Sequence, residues 1–236
     1  MRQLLLDIAP SRTPTLEQFI PGHNSEALLA IRQLANKKSA EPVLYLWGPQ
    51  GSGKTHLLQA AVHMACTHWA TSTYRDASNI RGDTFIQHDF VAIDNVEQLS
   101  AEQQIHLFSA INHAREGRGR LLCAGHTPPA QLDLRADLST RLGWHLVYQL
   151  IPADEIGTRT ALQQRALALG FTLEAPLIDY LMRHWQRDLA TLLDVLNQLD
   201  YLSREQQRPV TLPLLRETLI ALQNAADAGR YQMKDK

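Results

Sequence analysis

The sequence lacks the features that mark several large classes of protein. Its net charge is −1 over 236 residues, so the overall basic field that proteins wrapping nucleic acid require is missing. No apolar run approaches the ~20 residues of a membrane helix, and no signal peptide opens the chain. We therefore expect a soluble, cytoplasmic protein without a membrane partner. The length allows one α/β domain with a small second domain.

Cysteine is also scarce. The only two cysteines are Cys66 and Cys123, and both lie in apolar stretches. This setting is typical of free thiols buried in a core. The sequence therefore predicts neither a disulfide nor a structural metal site.

One octapeptide carries the clearest functional signal. Residues 48–55 read Gly-Pro-Gln-Gly-Ser-Gly-Lys-Thr and match G-x-x-x-x-G-K-[ST], the phosphate-binding P-loop. An apolar run at 43–47 predicts a buried strand before the loop, and a helical pattern predicts a helix that begins near Gly53. Backbone N–H groups and the helix N-terminus would bind phosphate, Lys54 would reach the β- and γ-phosphates, and Thr55 would hold Mg²⁺. The predicted nucleotide-binding residues are Gly48, Pro49, Gly51, Ser52, Gly53, Lys54 and Thr55.

Alternating strands and helices predict an α/β fold for the first part of the chain. The segment 70–89 is polar and predicts irregular structure. The alternation implies a parallel sheet covered by helices on both faces, with the ligand at the carboxyl ends of the strands. Further strands are expected at 90–94, 121–125 and 145–150, and helices at 101–115, with Ile105, Leu107, Phe108 and Ile111 inward, and around 138–142.

Past Pro152 the sequence predicts helices only. The first of four helices contains Ile156 and Leu167 and ends at Gly170, a residue type that commonly terminates helices. The last begins after Thr211, which would be its N-cap. The predicted domains are an N-terminal segment at 1–14, an α/β nucleotide-binding domain at 15–152, a helical domain at 153–226 and a flexible tail at 227–236.

An acid ends the predicted strand at 90–94. Asp94 is where a Walker-B aspartate sits, and it would bind Mg²⁺ together with Thr55. The alternative is a strand-end Asp that caps a turn. An ATPase of this kind usually has a second acid next to it, which polarises the attacking water. Here that position is Asn95, whose amide cannot take a proton, so we expect weak hydrolysis at this site.

Three stretches together resemble the AAA+ family, and within it the bacterial replication initiator DnaA and its shorter relatives. Residues 46–60 are similar to the initiator's P-loop and the helix after it, residues 19–24 to the family's entry motif, and residues 139–144 to the box that carries its arginine finger. The resemblance covers nearly the whole chain. It implies the AAA+ fold, a bound ADP or ATP with Mg²⁺, and a helical lid formed by the second domain.

The resemblance also assigns individual residues. It implies that Phe19 and Ile20 lie against the adenine, and that His56 joins the P-loop in binding the nucleotide. It implies that Arg141 is an arginine finger, which reaches across a subunit interface to the γ-phosphate on a neighbour. Taken alone, Arg141 could equally be an ordinary surface arginine. Trp144 makes the match to the arginine-finger box more specific.

Four departures from the initiator point to the shorter relatives, which inactivate it. The chain stops after the helical domain, so we expect no C-terminal DNA-binding domain, and the segment between the P-loop helix and Asp94 is short. Asn95 replaces an acid. Finally, residues 3–8 resemble a sliding-clamp-binding peptide, whose anchors would fill a groove on the clamp. The alternative for this segment is a strand packed on the core. The predicted clamp-binding residues are Gln3, Leu4, Leu6 and Ile8.

Two positions depart from the whole family. Ala190 stands where the third lid helix should carry a sensor arginine, and Arg187 either substitutes for it or is a solvated surface residue. His126 stands where a small polar or acidic residue is usual. Both departures argue against tight triphosphate binding and self-hydrolysis. Neither affects a role in which Arg141 acts on ATP bound to another protein.

These observations predict a negative regulator of chromosomal replication initiation. It would bind ADP and the DNA-loaded sliding clamp (the β subunit of DNA polymerase III), and it would stimulate hydrolysis of DnaA-bound ATP through Arg141. DNA would be contacted only through the clamp, and self-association stays open. Two alternatives remain: a self-contained ATPase of the clamp-loader type, and a nucleotide-binding adaptor that recruits proteins to origins.

Overall fold

The computed structural model describes residues 13–80, 87–185 and 188–232, with side chains as far as residue 224. The chain divides into two compact units, residues 1–152 and 153–236. Within the described ranges, every helix is too short or too polar to cross a bilayer. The four predicted clamp-binding residues and Arg187 lie outside these ranges.

A five-stranded parallel sheet forms the centre of the first unit, in the order β2-β3-β4-β1-β5. Parallel neighbours require crossover connections, and helices supply them. The α/β prediction is therefore confirmed. The strands are β1 Val43–Trp47, β2 Ser72–Asp76, β3 Phe90–Asp94, β4 Arg120–Gly125 and β5 Leu146–Gln149.

The prediction of irregular structure throughout 70–89 is wrong, because β2 occupies Ser72–Asp76. β2 is an edge strand that pairs only with β3. Of its five side chains only Thr73 is buried, so the apolar signal that reveals an interior strand is missing. The strand matters for the site because it carries Tyr74.

Helices cover both faces of the sheet because alternate residues of a strand point to opposite sides. Leu44 and Leu46 of β1 pack in a cluster with α1 and α2, whereas Val43 and Tyr45 pack in a second cluster with α3 and α4. The helices of this unit are α1 Ser25–Ala35, α2 Lys54–Ala65, α3 Ala101–Arg115 and α4 Ala136–Gly143.

Two predictions of buried side chains in this unit are wrong. Cys66 is exposed, because α2 ends at Ala65 and Cys66 follows as its C-cap. Its Sγ lies 3.0 Å from Ser72 Oγ. Ile105 is 49% exposed on α3, whereas Leu107 and Ile111 are fully buried. Cys123 is buried in β4, as predicted.

Four helices form the second unit around one apolar cluster. Asp154 and Asp188 cap the first and third helices by accepting backbone N–H bonds, and Gly170 ends the first in the left-handed conformation. Ile156 and Leu167, two of the apolar residues that mark the first helix in the sequence, lie in that helix but are 75% and 65% exposed. The helices are α5 Glu155–Leu169, α6 Ala175–His184, α7 Leu189–Gln206 and α8 Leu212–Gln232. α8 continues past Asp227, where the sequence predicts the tail to begin.

Candidate nucleotide-binding site

The P-loop connects the end of β1 to the start of α2. Gly53 is the N-cap of α2 at φ +91°, in the left-handed region that favours glycine. Gly48 is tightly enclosed, because a Cβ there would lie 2.5 Å from the backbone oxygen of Leu150. Strand, loop and helix thus follow one another as the P-loop pattern requires, and the helix N-terminus faces the loop.

Lys54 is 6% exposed and points back into the loop. Its Nζ donates hydrogen bonds to the carbonyl oxygens of Gly48 at 2.7 Å and Pro49 at 3.0 Å. Burial lowers the pKa of Lys54, and the charges of Asp94 and Glu97 oppose that shift. The buried Ser52 Oγ has no hydrogen-bond partner among the described residues. The loop therefore holds a cation and an unsatisfied hydroxyl at the place where phosphate oxygens would bind.

Thr55 and Asp94 lie together at the carboxyl end of the sheet. Thr55 Oγ1 donates to Asp94 Oδ2 at 2.5 Å, and Asp94 is 1% exposed. A hydroxyl and a carboxylate are the oxygen ligands that Mg²⁺ takes in P-loop proteins. The two residues therefore fit the magnesium role that the sequence predicts for them.

Tyr74 joins this pair, although nothing in the sequence predicts its role. Its hydroxyl donates to Asp94 Oδ2 at 3.2 Å. Burial, and then the charge of Asp94, raise the pKa of Tyr74, so the phenol stays protonated and orients the carboxylate. The contact depends on β2, whose polar sequence gave no strand signal.

Asn95 is hydrogen-bonded to the end of β2. Its backbone is left-handed at φ +54°, and its side-chain Nδ2 donates to Asp76 Oδ2 at 2.6 Å. Burial acts to raise the pKa of Asp76, but hydrogen bonds from Ser78 and Asn95 outweigh it, and the pKa is lowered. Asn95 is thus engaged in holding a carboxylate of the edge strand.

Aromatic groups lie beside the start of α2. The ring of Phe19 covers Gly53, with Cε2 at 2.7 Å from the position of a Cβ. The Phe19 and His56 ring centroids are 6.1 Å apart. Burial lowers the pKa of His56, against a hydrogen bond with the Thr15 carbonyl at 3.1 Å. The imidazole is therefore neutral at pH 7, and with the Phe19 ring it forms an uncharged surface suited to a base. Ile20, the other residue assigned to the adenine, is half-buried.

Arg141 lies near the end of α4, apart from the P-loop contacts. Its guanidinium is 5.2 Å from the Phe108 ring centroid and 4.9 Å from that of Trp144. Its Nη1 is buried without a hydrogen-bond partner, and no acid pairs with it among the described residues. Arg135, the nearest alternative finger, instead pairs with Asp137 at 2.8 Å.

His126 and Ala190, the two positions that depart from the family pattern, have different surroundings. His126 follows β4, and its Nδ1 contacts Glu97 Oε1. Glu97 carries no signal in the sequence, because only the packing of β3 against β4 brings it close to His126. Ala190 is an exposed residue in the first turn of α7.

Comparisons with known proteins match both units. Residues 11–87 match the family described as the Bacterial DnaA ATPase domain, and residues 155–219 match the family described as Hda, lid domain. Domain III of the Thermotoga maritima initiator DnaA is similar in structure, with a TM-score of 0.74 at 20% identity, over 88% of this chain and 95% of that one.

Two further structures are similar. AMPPCP-bound DnaA from Aquifex aeolicus has a TM-score of 0.66 at 21% identity, over 81% of this chain and 65% of that one. A RuvB variant from Thermotoga maritima has a TM-score of 0.67 at 16% identity, over 89% and 72%. At these identities the structural likeness shows the fold alone, which this chain shares with the DnaA and RuvB structures.

Proposed function

We propose, from the premise that this chain is an Hda-like, DnaA-related AAA+ protein, that it inactivates DnaA by supplying Arg141 to ATP bound there. The DnaA-related folds support a role in replication and a nucleotide at the P-loop. The proposal that this chain stimulates hydrolysis of ATP bound to DnaA is more specific, and it is argued from the surroundings of Arg141.

One observation carries this proposal: the Arg141 guanidinium contacts two rings and has no acidic partner among the described residues. It lies near the rings of Phe108 and Trp144, and its Nη1 has no acceptor within the part of the chain that the structure describes. A guanidinium stays charged at any physiological pH and forms strong paired hydrogen bonds with phosphate. Arg141 is half-buried and the neighbouring Trp144 is 63% exposed, so part of the guanidinium lies at a surface that another protein can reach. A γ-phosphate on that protein would bind this accessible part.

The chain's own nucleotide would then have a structural role. Lys54, Ser52 and the loop amides would hold the phosphates, and Thr55 and Asp94 would hold Mg²⁺, which neutralises phosphate charge when bound. ADP suffices for this role, because no chemistry is needed at a site whose Asn95 is bonded to Asp76.

The clamp-binding segment would bring Arg141 to DnaA on DNA. Residues 3–8 would dock an extended peptide into a groove on the sliding clamp. A peptide of this length gives affinity in the region of ~1 μM, about −8 kcal/mol. Tethering on DNA raises the effective concentration of the chain near DnaA, so modest affinity is enough.

Single-turnover hydrolysis of radiolabelled ATP on DnaA tests the proposal. We expect the wild-type chain with DNA-loaded clamp to accelerate hydrolysis at least tenfold, equivalent to ~1.4 kcal/mol of barrier. Omitting the clamp provides the matched control. No acceleration by the wild-type chain under these conditions would leave a nucleotide-binding adaptor as the better description.

Replacing Gln3, Leu4 and Leu6 together by Ala should abolish binding to the sliding clamp without altering thermal stability. The side chains would be docking anchors, so the folded unit loses nothing. If they instead pack on the core, each buried Leu should cost ~2 kcal/mol or more of stability. Surface plasmon resonance on immobilised clamp and thermal melting separate the two. Undiminished clamp binding by the triple variant would eliminate the docking assignment.

Without partners, the wild-type chain should turn over ATP well below about 1 s⁻¹, the lower end of typical enzyme rates. Asn95 supplies no base, and its amide is held by Asp76. The measurement is phosphate release by purified protein, and the Lys54→Ala variant gives the background. A wild-type rate at or above that limit would favour the self-contained ATPase.

A further inference from the structure

A carboxylate with one unsatisfied oxygen lies beside the P-loop. Glu97 belongs to the short turn Val96–Gln98 that follows β3. Its Oε1 contacts His126 Nδ1. Its Oε2 is buried and has no hydrogen-bond partner among the described residues. A buried polar oxygen without a hydrogen-bond partner is costly to stability unless it serves a purpose.

The sheet order places this group next to the phosphate-binding residues. β4 lies between β3, which ends in Asp94, and β1, which leads into the P-loop. The residue before His126 is Gly125, which pairs with Trp47 at the end of β1. The carboxylate of Glu97 is close enough to raise the pKa of Lys54 against the larger effect of burial. Its charge therefore acts on the ammonium that would bind the β- and γ-phosphates.

Gly125 and Tyr45 fix the position of this carboxylate. A Cβ at Gly125 would lie 2.3 Å from the Tyr45 hydroxyl and 2.9 Å from Glu97 Oε2, so glycine leaves the space that both groups occupy. The Tyr45 hydroxyl donates to the Thr127 carbonyl at 2.8 Å, which uses its only proton. Burial, and then the charge of Glu97, raise the pKa of Tyr45. Tyr45 therefore gives Oε2 no hydrogen bond.

We propose that Glu97, oriented by His126, makes this nucleotide site discriminate against a third phosphate. This inference rests on the proposed nucleotide site. The first two phosphates would lie against the loop amides and Lys54. A third would extend toward Asp94 at the end of β3, the residue that would hold Mg²⁺, where the carboxylate of Glu97 would repel it. The site then prefers a nucleoside diphosphate.

The same geometry argues against Glu97 as a general base that would replace Asn95 in ATP hydrolysis. A general base must lie within hydrogen-bond reach of the water that it deprotonates. His126 engages Oε1, and Oε2 is enclosed beside Tyr45 and Gly125. The carboxylate acts on the nucleotide through its charge, which needs no direct contact.

Glu97→Gln and Glu97→Ala test this inference, since both remove the charge and only the first keeps the size. Glu102→Gln is the control, because Glu102 is an exposed acid in the first turn of α3. Isothermal titration calorimetry in Mg²⁺ at fixed ionic strength gives the affinities for ADP and for the non-hydrolysable analogue AMPPCP. We expect wild type and control to prefer ADP. Both Glu97 variants should gain at least tenfold in AMPPCP affinity relative to ADP, with ADP binding changed less than twofold.

An unchanged affinity ratio in both Glu97 variants would overturn the inference, as would a parallel loss of both ligands, which would make Glu97 a structural residue. A fall in ATP turnover with the ratio intact would also overturn it and assign a catalytic role. Failure of the proposed function would be seen in a different experiment. The wild-type chain would then not stimulate ATP hydrolysis by DnaA, whichever nucleotide it prefers.

Discussion

Lys54→Ala is expected to lose all measurable ADP binding. Lys54 is the cation enclosed by the loop, where it donates to the carbonyls of Gly48 and Pro49. Those carbonyls occupy its donors until phosphate oxygens replace them. Without the ammonium, the loop amides and the α2 N-terminus alone cannot offset the charge of two phosphates.

The loss should also be visible in thermal melting. Ligand at 100 times its Kd stabilises a fold by about 2.7 kcal/mol, which corresponds to a rise in Tm of roughly 5–10 °C for a chain of this size. We expect that rise in wild type and in the Lys38→Ala control, whose lysine is exposed, and none in Lys54→Ala. Equal shifts in all three proteins would show that ADP binds somewhere other than the P-loop.

The parts of the site that follow one another in sequence could be predicted, and the parts joined by packing could not. The P-loop, its strand and its helix are contiguous, and their pattern reflects phosphate chemistry directly. Asp94 ends a fully buried strand, which makes it stand out. Arg141 lies within the box at 139–144 that resembles the family's arginine-finger box, so its candidacy was likewise available from the sequence.

Tyr74 and Glu97 needed the folded sheet. Tyr74 reaches Asp94 from an edge strand whose side chains are mostly not buried, so periodicity gave no signal. Glu97 meets His126 across 29 residues of sequence, and neither residue is unusual in its local context. Charged partners brought together by strand order leave no mark in a single sequence.

Apolar residues near helix ends are exposed in this chain. Ile156 lies in the first turn of α5 and Leu167 in its last turn, and both are mostly exposed. The prediction that Cys66 is buried is wrong for a similar reason, since Cys66 lies one residue beyond α2. Helix termini are the least predictable part of an element.

Arg141→Ala should reduce the stimulation of ATP hydrolysis by DnaA at least tenfold, while the fold and the affinity for ADP are retained. The guanidinium makes ring contacts with Phe108 and Trp144, which at exposed sites contribute roughly 0.5–1 kcal/mol. Loss of these contacts should therefore change the free energy of unfolding only slightly. Arginine fingers supplied in trans contribute about 10³–10⁵ in rate in GTPases, so the effect on the partner's hydrolysis is large.

Lysine should replace Arg141 poorly. Its ammonium is a point charge without the planar fork that binds phosphate oxygens in pairs and stacks on rings. We expect Arg141→Lys to recover less than a tenth of the wild-type stimulation. Melting temperature, ADP affinity and clamp binding, measured on the same preparations, should match wild type for both variants.

The most direct test compares Arg141→Ala with Arg135→Ala in single-turnover hydrolysis of DnaA-bound ATP with DNA-loaded clamp. Arg135 precedes Arg141 by six residues and is paired with Asp137. Its replacement therefore controls for the loss of a nearby positive charge. We predict near wild-type stimulation by Arg135→Ala and at least a tenfold loss in Arg141→Ala. Undiminished stimulation by Arg141→Ala, with loss in Arg135→Ala, would contradict the assignment and place the finger at Arg135.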